Sequence, residues 1–271
     1  MSRRVCILGL LLGLQAGCQG EGNAVPFLHA HAHNDYLHGR PLLEALDHGF
    51  TSVEADVFLV GDQLCVAHEP NAIRPERTLE SLYLEPLRQR VKTNGGQVYR
   101  VGARFLLLVD LKTAAEPTYK RLHAVLTEYR DILAGFGPQG HKEGGVTVIV
   151  SGNRPLGSMQ SQPVRYAGYD GRLADLDSGA SADVIPLISD QWTRHFTWRG
   201  DGPMPPEEQR KLKDIVARAH AKGRLVRFWA TPDVPSPARE ALWRALLAAG
   251  VDLLNTDDLQ GLQEFLLRHG R

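Results

Sequence analysis

Short runs rich in β-branched and aliphatic residues alternate along the chain with longer stretches whose apolar positions recur at helical spacing, the pattern of successive parallel βα units. Eight runs predict strands: Pro26 to His33, Thr51 to Leu59, Arg104 to Lys112, Val146 to Gly152, Val164 to Asp170, Val184 to Asp190, Arg224 to Ala230, and Val251 to Asn255. Helices are predicted over Pro41 to His48, Glu116 to Ala134, Pro206 to Lys222 and Pro237 to Ala249, each followed at once by a glycine. The stretch "VGDQLCVAHEP" breaks the rhythm and predicts a hairpin, with Gly61-Asp62 as its turn and Leu64 to His68 returning. Arg154 to Gln162 reads as loop.

Eight βα units over about 250 residues match an α/β fold of the single (β/α)8 TIM-barrel type, in which reactive groups gather at the C-terminal ends of the strands. A doubly wound open sheet is the runner-up, but the GxxxxGK[ST] loop that would support it is absent from the sequence. With no internal repeat and no dividing linker, residues 26–271 read as one domain.

Composition narrows the partners. A 43% hydrophobic content suits a sizeable core. Basic and acidic residues number 31 each, so there is no overall positive field to recruit nucleic acid. Cys6, Cys18 and Cys65 have neither zinc-site spacing nor the density of a disulfide scaffold. Arg3 and Arg4, the apolar run Val5 to Leu14, and the small residues Ala16 and Gly17 predict an export signal over residues 1–18, with residues 19–25 as linker. Cys18 follows "LQAG", a segment similar to the acylation site of bacterial lipoproteins. The expected location is therefore outside the cytoplasm: periplasmic, anchored through Cys18, or secreted.

Strand parity supplies the candidate chemistry. Residues two apart face the same way, so Glu54 and Asp56 share a face, as do Asp110 and Lys112, and His29, His31 and His33. Ionisable groups aimed into a barrel are costly unless something pairs them. Glu54, Asp56 and Asp110 form an all-oxygen set suited to one divalent cation, Mg2+ or Ca2+, and Lys112 beside them can neutralise phosphate oxygens. His31 and His68 are the candidate acid–base pair, since histidine titrates near neutrality. His33 and Asn34 lie where substrate would enter, and Arg227, Trp229 and Asn255 offer substrate contacts from later strand ends.

Each residue also has a plainer role. A single strand carboxylate is commonly a salt bridge or a solvated face, and only the joint pattern favours a metal. His29 reads as a core histidine or a residue at the barrel floor, and His38, His48, His123, His141, His220 and His269 as surface residues. The segment "SDQWTRHFTWRGDGPMPP", with Trp192, Arg194, Phe196, Trp198 and Arg199, either covers a headgroup with peripheral membrane contact or plugs the barrel mouth.

These motifs resemble the superfamily of glycerophosphodiester phosphodiesterases and phosphatidylinositol-specific phospholipases C. "HAHN" at His31 to Asn34 looks like its first histidine, "EAD" at Glu54 to Asp56 like its Glu-x-Asp pair, and "VAH" at His68 like its second histidine. "LLLVDLKT", with Asp110 and Lys112, is close to the third-strand segment of the sphingomyelinase D branch. Over most of the chain, "HAHNDY", "TSVEADVFL", "RTLESLYLEPL", "VSGNRP", "VRFWATPD" and "LLNTDDL" are most similar to the altered-inheritance-of-mitochondria protein six family, whose members are described as phosphodiesterase-like. The resemblance implies a PLC-like barrel, a Mg2+ or Ca2+ site, and acid–base catalysis by His31 and His68. The expected activity is hydrolysis of a phosphoric diester of the glycerophosphodiester or (lyso)phospholipid type, by a monomer. The chain departs from the glycerophosphodiesterases in lacking "HRG" at the first strand and their small inserted domain after the second. A non-catalytic barrel that binds phospholipid headgroups, or a hydrolase of another ester, stays open.

Overall fold

The computed structural model describes residues 24–138 and 140–269. Eight parallel strands form a closed ring: β1 (Phe27–Ala32), β2 (Phe50–Val60), β4 (Leu106–Leu111), β7 (Thr147–Gly152), β8 (Ala167–Gly171), β9 (Leu187–Gln191), β10 (Leu225–Trp229) and β11 (Leu253–Thr256). Closure comes from β1, which pairs with β2 on one side and β11 on the other. The remaining strands are excursions. β3 (Gln63–Val66) folds back antiparallel on the end of β2, and β5 (Gly135–Gly137) pairs with β6 (Gly140–Lys142) in a small hairpin.

Alternation along each strand builds two cores. Val53, Ala55 and Val57 of β2, Leu107 and Val109 of β4, Val148 and Val150 of β7, and Val226 and Phe228 of β10 face outward into the main apolar cluster. The helices meet them there: α3 (Ala115–Glu128) with Leu122 and Leu126, α6 (Pro206–His220) with Leu212 and Ile215, α7 (Pro237–Ala249) with Leu242 and Trp243, and α8 (Leu259–His269) with Leu262 and Phe265. Each such fully buried side chain contributes roughly 1.5–3 kcal/mol. Leu106, Leu108, Ile149, Leu187 and Leu253, with the half-buried Leu225, form a second, smaller cluster inside the ring.

Helix ends follow from local chemistry. In α7 the Ser236 hydroxyl accepts the Arg239 N–H, Pro237 opens the first turn, and Gly250 closes the helix in the left-handed region at φ 85. Two expectations are corrected. α3 stops at Glu128 rather than running to Ala134, because the following segment turns to lay Leu133 beside Val146. The expected loop at Arg154 to Gln162 contains α4 (Leu156–Ser161), secured by the fully buried Met159. α2 (Glu85–Thr93) and α8 complete the outer layer, with the short α1 (Leu43–Asp47) and α5 (Trp192–His195). No described helix is long and apolar enough to cross a membrane.

The aromatic segment after β9 turns inward. Trp192 and Phe196 stack at 4.0 Å between ring centroids, both meet the outward-facing Phe228 edge-on, and Trp192 donates its indole N–H to the Trp198 carbonyl at 2.8 Å. Trp192, Phe196 and Trp198 are buried, so these rings are outer-core packing and the headgroup-covering reading does not hold for them. Arg194 is exposed.

Candidate active site at the barrel mouth

Above the inner apolar cluster the strands change character. β2 sends Glu54 and Asp56 inward and β4 sends Asp110, and a ligand oxygen from each lies within 4.8 Å of the others. Registers explain the meeting: Asp56 pairs with Asp110 across β2 and β4, and Asp110 with Ser151 across β4 and β7. Gly152, at φ 68, ends β7 beside the carboxylate, where a Cβ would fall 2.2 Å from Asp110 Oδ1. Only glycine fits at that place.

Cations hold the carboxylates together. Lys112 Nζ lies 3.0 Å from Asp56 Oδ2 and 3.3 Å from Asp110 Oδ1, while Arg227 Nη2 lies 2.9 Å from Glu54 Oε2. Burial works against ionisation of Glu54, but the Arg227 charge and the His31 contact overcome it and hold this carboxyl well below the usual carboxylate range. Burial pushes Asp110 up to about 6 against the pull of Lys112, with Glu54 and Asp56 adding to the rise. Asp56 is raised by burial and by Glu54. Asp56 Oδ1 is buried and has no hydrogen-bond partner among the described residues. Three crowded carboxylates with an orphaned oxygen fit a hard divalent cation, which would give that oxygen a partner and relieve the repulsion.

The histidines separate by depth. His31 is fully buried, accepts the Ser52 hydroxyl proton on Nδ1 at 2.7 Å and donates from Nε2 to Glu54 at 3.2 Å. Burial and the Arg227 charge push it down to about 3, so it is neutral and both nitrogens are engaged. His33 stands one layer higher, with Nδ1 donating to Asp257 Oδ1 at 2.8 Å. Burial would lower it, yet the Asp257 bond and the charges of Glu54 and Asp257 together outweigh burial and raise it above the usual histidine value. His68, delivered by the β2–β3 hairpin, is half exposed and has Nδ1 2.9 Å from the Tyr36 hydroxyl and 3.5 Å from Asp56 Oδ2. His29 bonds the Asp252 carbonyl with Nδ1 at 3.0 Å, away from the carboxylates.

Of the remaining expected contacts, Asn34 sits at the mouth in the left-handed region at φ 47, with Nδ2 2.9 Å from His33 Nδ1 and Oδ1 2.7 Å from the Tyr36 hydroxyl. Asn34 Nδ2 also reaches Asp257 Oδ1, at 3.4 Å. Arg227 is committed to Glu54 through Nη2, although its Nε and Nη1 are unpartnered among the described residues. Asn255 is buried beside His31 in the β1–β11 register, and Trp229 is half-buried at the end of β10.

Sequence reasoning missed Tyr36 and Asp257, which reach the site from turns where strand parity carries no signal, and Arg172. The opposite wall is a tight polar cluster in which the Ser151 and Ser189 hydroxyls donate to Asp170 Oδ2 at 2.7 and 2.8 Å and Arg172 Nη1 lies 2.6 Å from the same oxygen.

Comparison with known proteins gives these features a context. A family described as "AIM6-like phosphodiesterase domain" matches residues 21–170, and the "Glycerophosphoryl diester phosphodiesterase family" matches residues 226–260. The "Altered inheritance of mitochondria protein 6 homolog" of Arthroderma benhamiae is 33% identical over 260 residues, covering 87% of this chain and 82% of that protein. "Altered inheritance of mitochondria protein 6" of Eremothecium gossypii is 31% identical, covering 89% and 70%. In fold, the chain is similar to a Ca2+-dependent phosphatidylinositol-specific phospholipase C from Streptomyces antibioticus, with a TM-score of 0.58 and 14% identity over 90% of this chain and 98% of that one. These relatives correct the expected location. They are fungal proteins, eukaryotic counterparts rather than bacterial periplasmic lipoproteins, and export with anchoring through Cys18 does not stand. Residues 1–23, which include that segment, lie outside the described residues.

Proposed function

This chain belongs to the AIM6-like phosphodiesterase family, and on that footing we propose that its barrel mouth is the active site of a metal-dependent phosphoric diester hydrolase. The substrate class is a glycerophosphodiester or a (lyso)phospholipid-type diester. The observation that carries the reading is the cluster of Glu54, Asp56 and Asp110, ringed by Lys112, His33 and His68. A Mg2+ or Ca2+ ion bound by the three carboxylates would act as a Lewis acid toward a nonbridging phosphate oxygen.

Lys112 is placed to neutralise a second nonbridging oxygen as charge builds on the phosphoryl group. Proton transfer falls to His33 and His68. One takes the proton of the attacking hydroxyl or water, and the other returns a proton to the departing oxygen. The role expected of His31 moves to His33, because His31 is sealed in the lumen with both nitrogens bonded, whereas His33 is part-exposed and backed by Asp257. His31 then serves as a neutral buttress for Glu54. Asn34 and Trp229 are the proposed substrate contacts, with the buried Arg227 holding Glu54 beneath them.

Phosphorus NMR of a lysophospholipid or a glycerophosphodiester incubated with the protein and Mg2+ or Ca2+ tests this. Metal-dependent loss of the diester signal is expected, and a cyclic phosphate product would assign attack to a neighbouring substrate hydroxyl. No turnover across such a panel with either metal, together with headgroup affinity that survives His68→Ala, would replace the hydrolase with a binding barrel.

A further inference from the structure

Tyr36 lies on a turn between β1 and α1, is buried, and belongs to no strand that lines the lumen. Its place is fixed from several directions. Arg77 Nη2 donates to its carbonyl at 2.6 Å, and the preceding Asp35 takes the Leu42 N–H at 2.6 Å and the Tyr83 hydroxyl at 2.8 Å. The phenol is thereby held against three polar atoms: Asp56 Oδ2 at 2.6 Å, Asn34 Oδ1 at 2.7 Å and His68 Nδ1 at 2.9 Å.

A phenol has one proton to give. Two oxygen acceptors compete for it at shorter range than the imidazole does, and the Asp56 carboxylate is the stronger because its bond is charge-assisted. With that proton committed, the remaining short contact to His68 is favourable only if His68 Nδ1 is the donor and the phenol oxygen the acceptor. Asp56 Oδ2, 3.5 Å from the same nitrogen, selects the same orientation. The rings also lie nearly parallel, 6.3 Å apart at 22°.

We propose that Tyr36 is a positioning residue that fixes the proton of His68 on Nδ1 and so leaves Nε2 as the bare nitrogen available to the substrate. Nε2 points to the other side, 4.0 Å from the exposed Glu69 carboxylate and outside hydrogen-bond range of it. An unrestrained imidazole divides its proton between both nitrogens, so fixing the tautomer keeps His68 in the one form that can accept a proton through Nε2. His33, with Nδ1 on Asp257, is set the same way by a carboxylate. The catalytic consequence rests on the phosphodiesterase reading above, but the tautomer does not.

The test is long-range proton–nitrogen correlation NMR on the full chain at a pH where His68 is neutral, with its signals assigned by their loss in His68→Gln. The expected wild-type pattern is Nδ1–H with an unprotonated Nε2, with and without Mg2+. Tyr36→Phe keeps the ring and removes the hydroxyl, so the pattern should relax toward a mixture. In the same variant kcat should fall by about 10- to 100-fold with KM unchanged, the range found when a hydrogen-bond partner of a metal-ligating group is removed. A wild-type His68 protonated on Nε2, in either metal state, overturns the proposal even if Tyr36→Phe fails to fold. So does a Tyr36→Phe variant with the wild-type tautomer. Absence of diester turnover in the wild type would sink the hydrolase and leave the tautomer measurement standing.

Discussion

The lower and upper halves of the lumen are built by the same strands to opposite ends. Below, Leu106, Leu108, Ile149, Leu187 and Leu253 close the ring with apolar contacts; above, β2, β4, β8 and β10 present Glu54, Asp56, Asp110, Asp170 and Arg227, all largely enclosed. Two residues of advance along β4 change Leu108 into Asp110. The lumen's apolar packing lies in its lower half and the main core lies outside the ring, so the upper half can carry crowded charge that no folding requirement would place there.

The comparison breaks most directly through the histidines. His33→Ala or His68→Ala should cut turnover by about 10²–10⁴, or about 3–5 kcal/mol of barrier, with little change in melting temperature. Steady-state kinetics beside calorimetry checks this, and a variant that unfolds while keeping its specific activity would place these residues with the scaffold. Leu108→Ala should do the reverse, costing about 2–5 kcal/mol in urea unfolding while the folded fraction keeps its kcat.

Asp35 sharpens the boundary, because it is buried and ionisable yet faces the Leu42 N–H and Tyr83 rather than the lumen. Burial raises it to about 6 from an ordinary value of 3.8 despite those bonds. The folded state therefore holds its proton more tightly than the unfolded chain. Its contribution to stability is fully present below about pH 4 and falls by up to about 3 kcal/mol as pH rises to about 6, then levels off. Asp35→Asn should flatten that slope in denaturation curves taken across the interval. The smallest expected effect is that of Gly152→Ala: the new Cβ meets Asp110 Oδ1 at a positive φ, so stability should drop by about 1–3 kcal/mol. Titration calorimetry should then show weaker Mg2+ or Ca2+ binding than in the wild type.

Much of the barrel was legible because its strands are runs of outward Val, Ile and Leu, and closing glycines marked the ends of α1, α6 and α7, though not of α3. Parity also identified Glu54, Asp56, Asp110 and Lys112 as neighbours, since strand geometry alone decides which side they face. Depth was not legible. His31 and His33 have the same parity, and only the stagger of β1 against β2 and β11 shows that one is enclosed with Ser52 while the other reaches Asp257. Tyr36 escaped notice because a left-handed residue at Asn34 redirects the chain before it, and no periodicity survives such a turn. The loop aromatics misled for a related reason: Trp192 and Phe196 find an apolar partner in Phe228, and a partner distant in sequence leaves no local trace.

The hairpin that returns His68 has one further consequence. Ala67 N–H bonds the Asp56 carbonyl at 3.2 Å, and Val66 pairs with Val57, so the position of the imidazole is set at the base of the ribbon and not at its tip. Asp62 and Gln63 at the far end are exposed, and Gly61 has open space where a Cβ would be. Matched additions there, one residue to each arm, would lengthen the ribbon without moving the imidazole, which makes the tip a natural place to graft a fluorophore or an affinity tag.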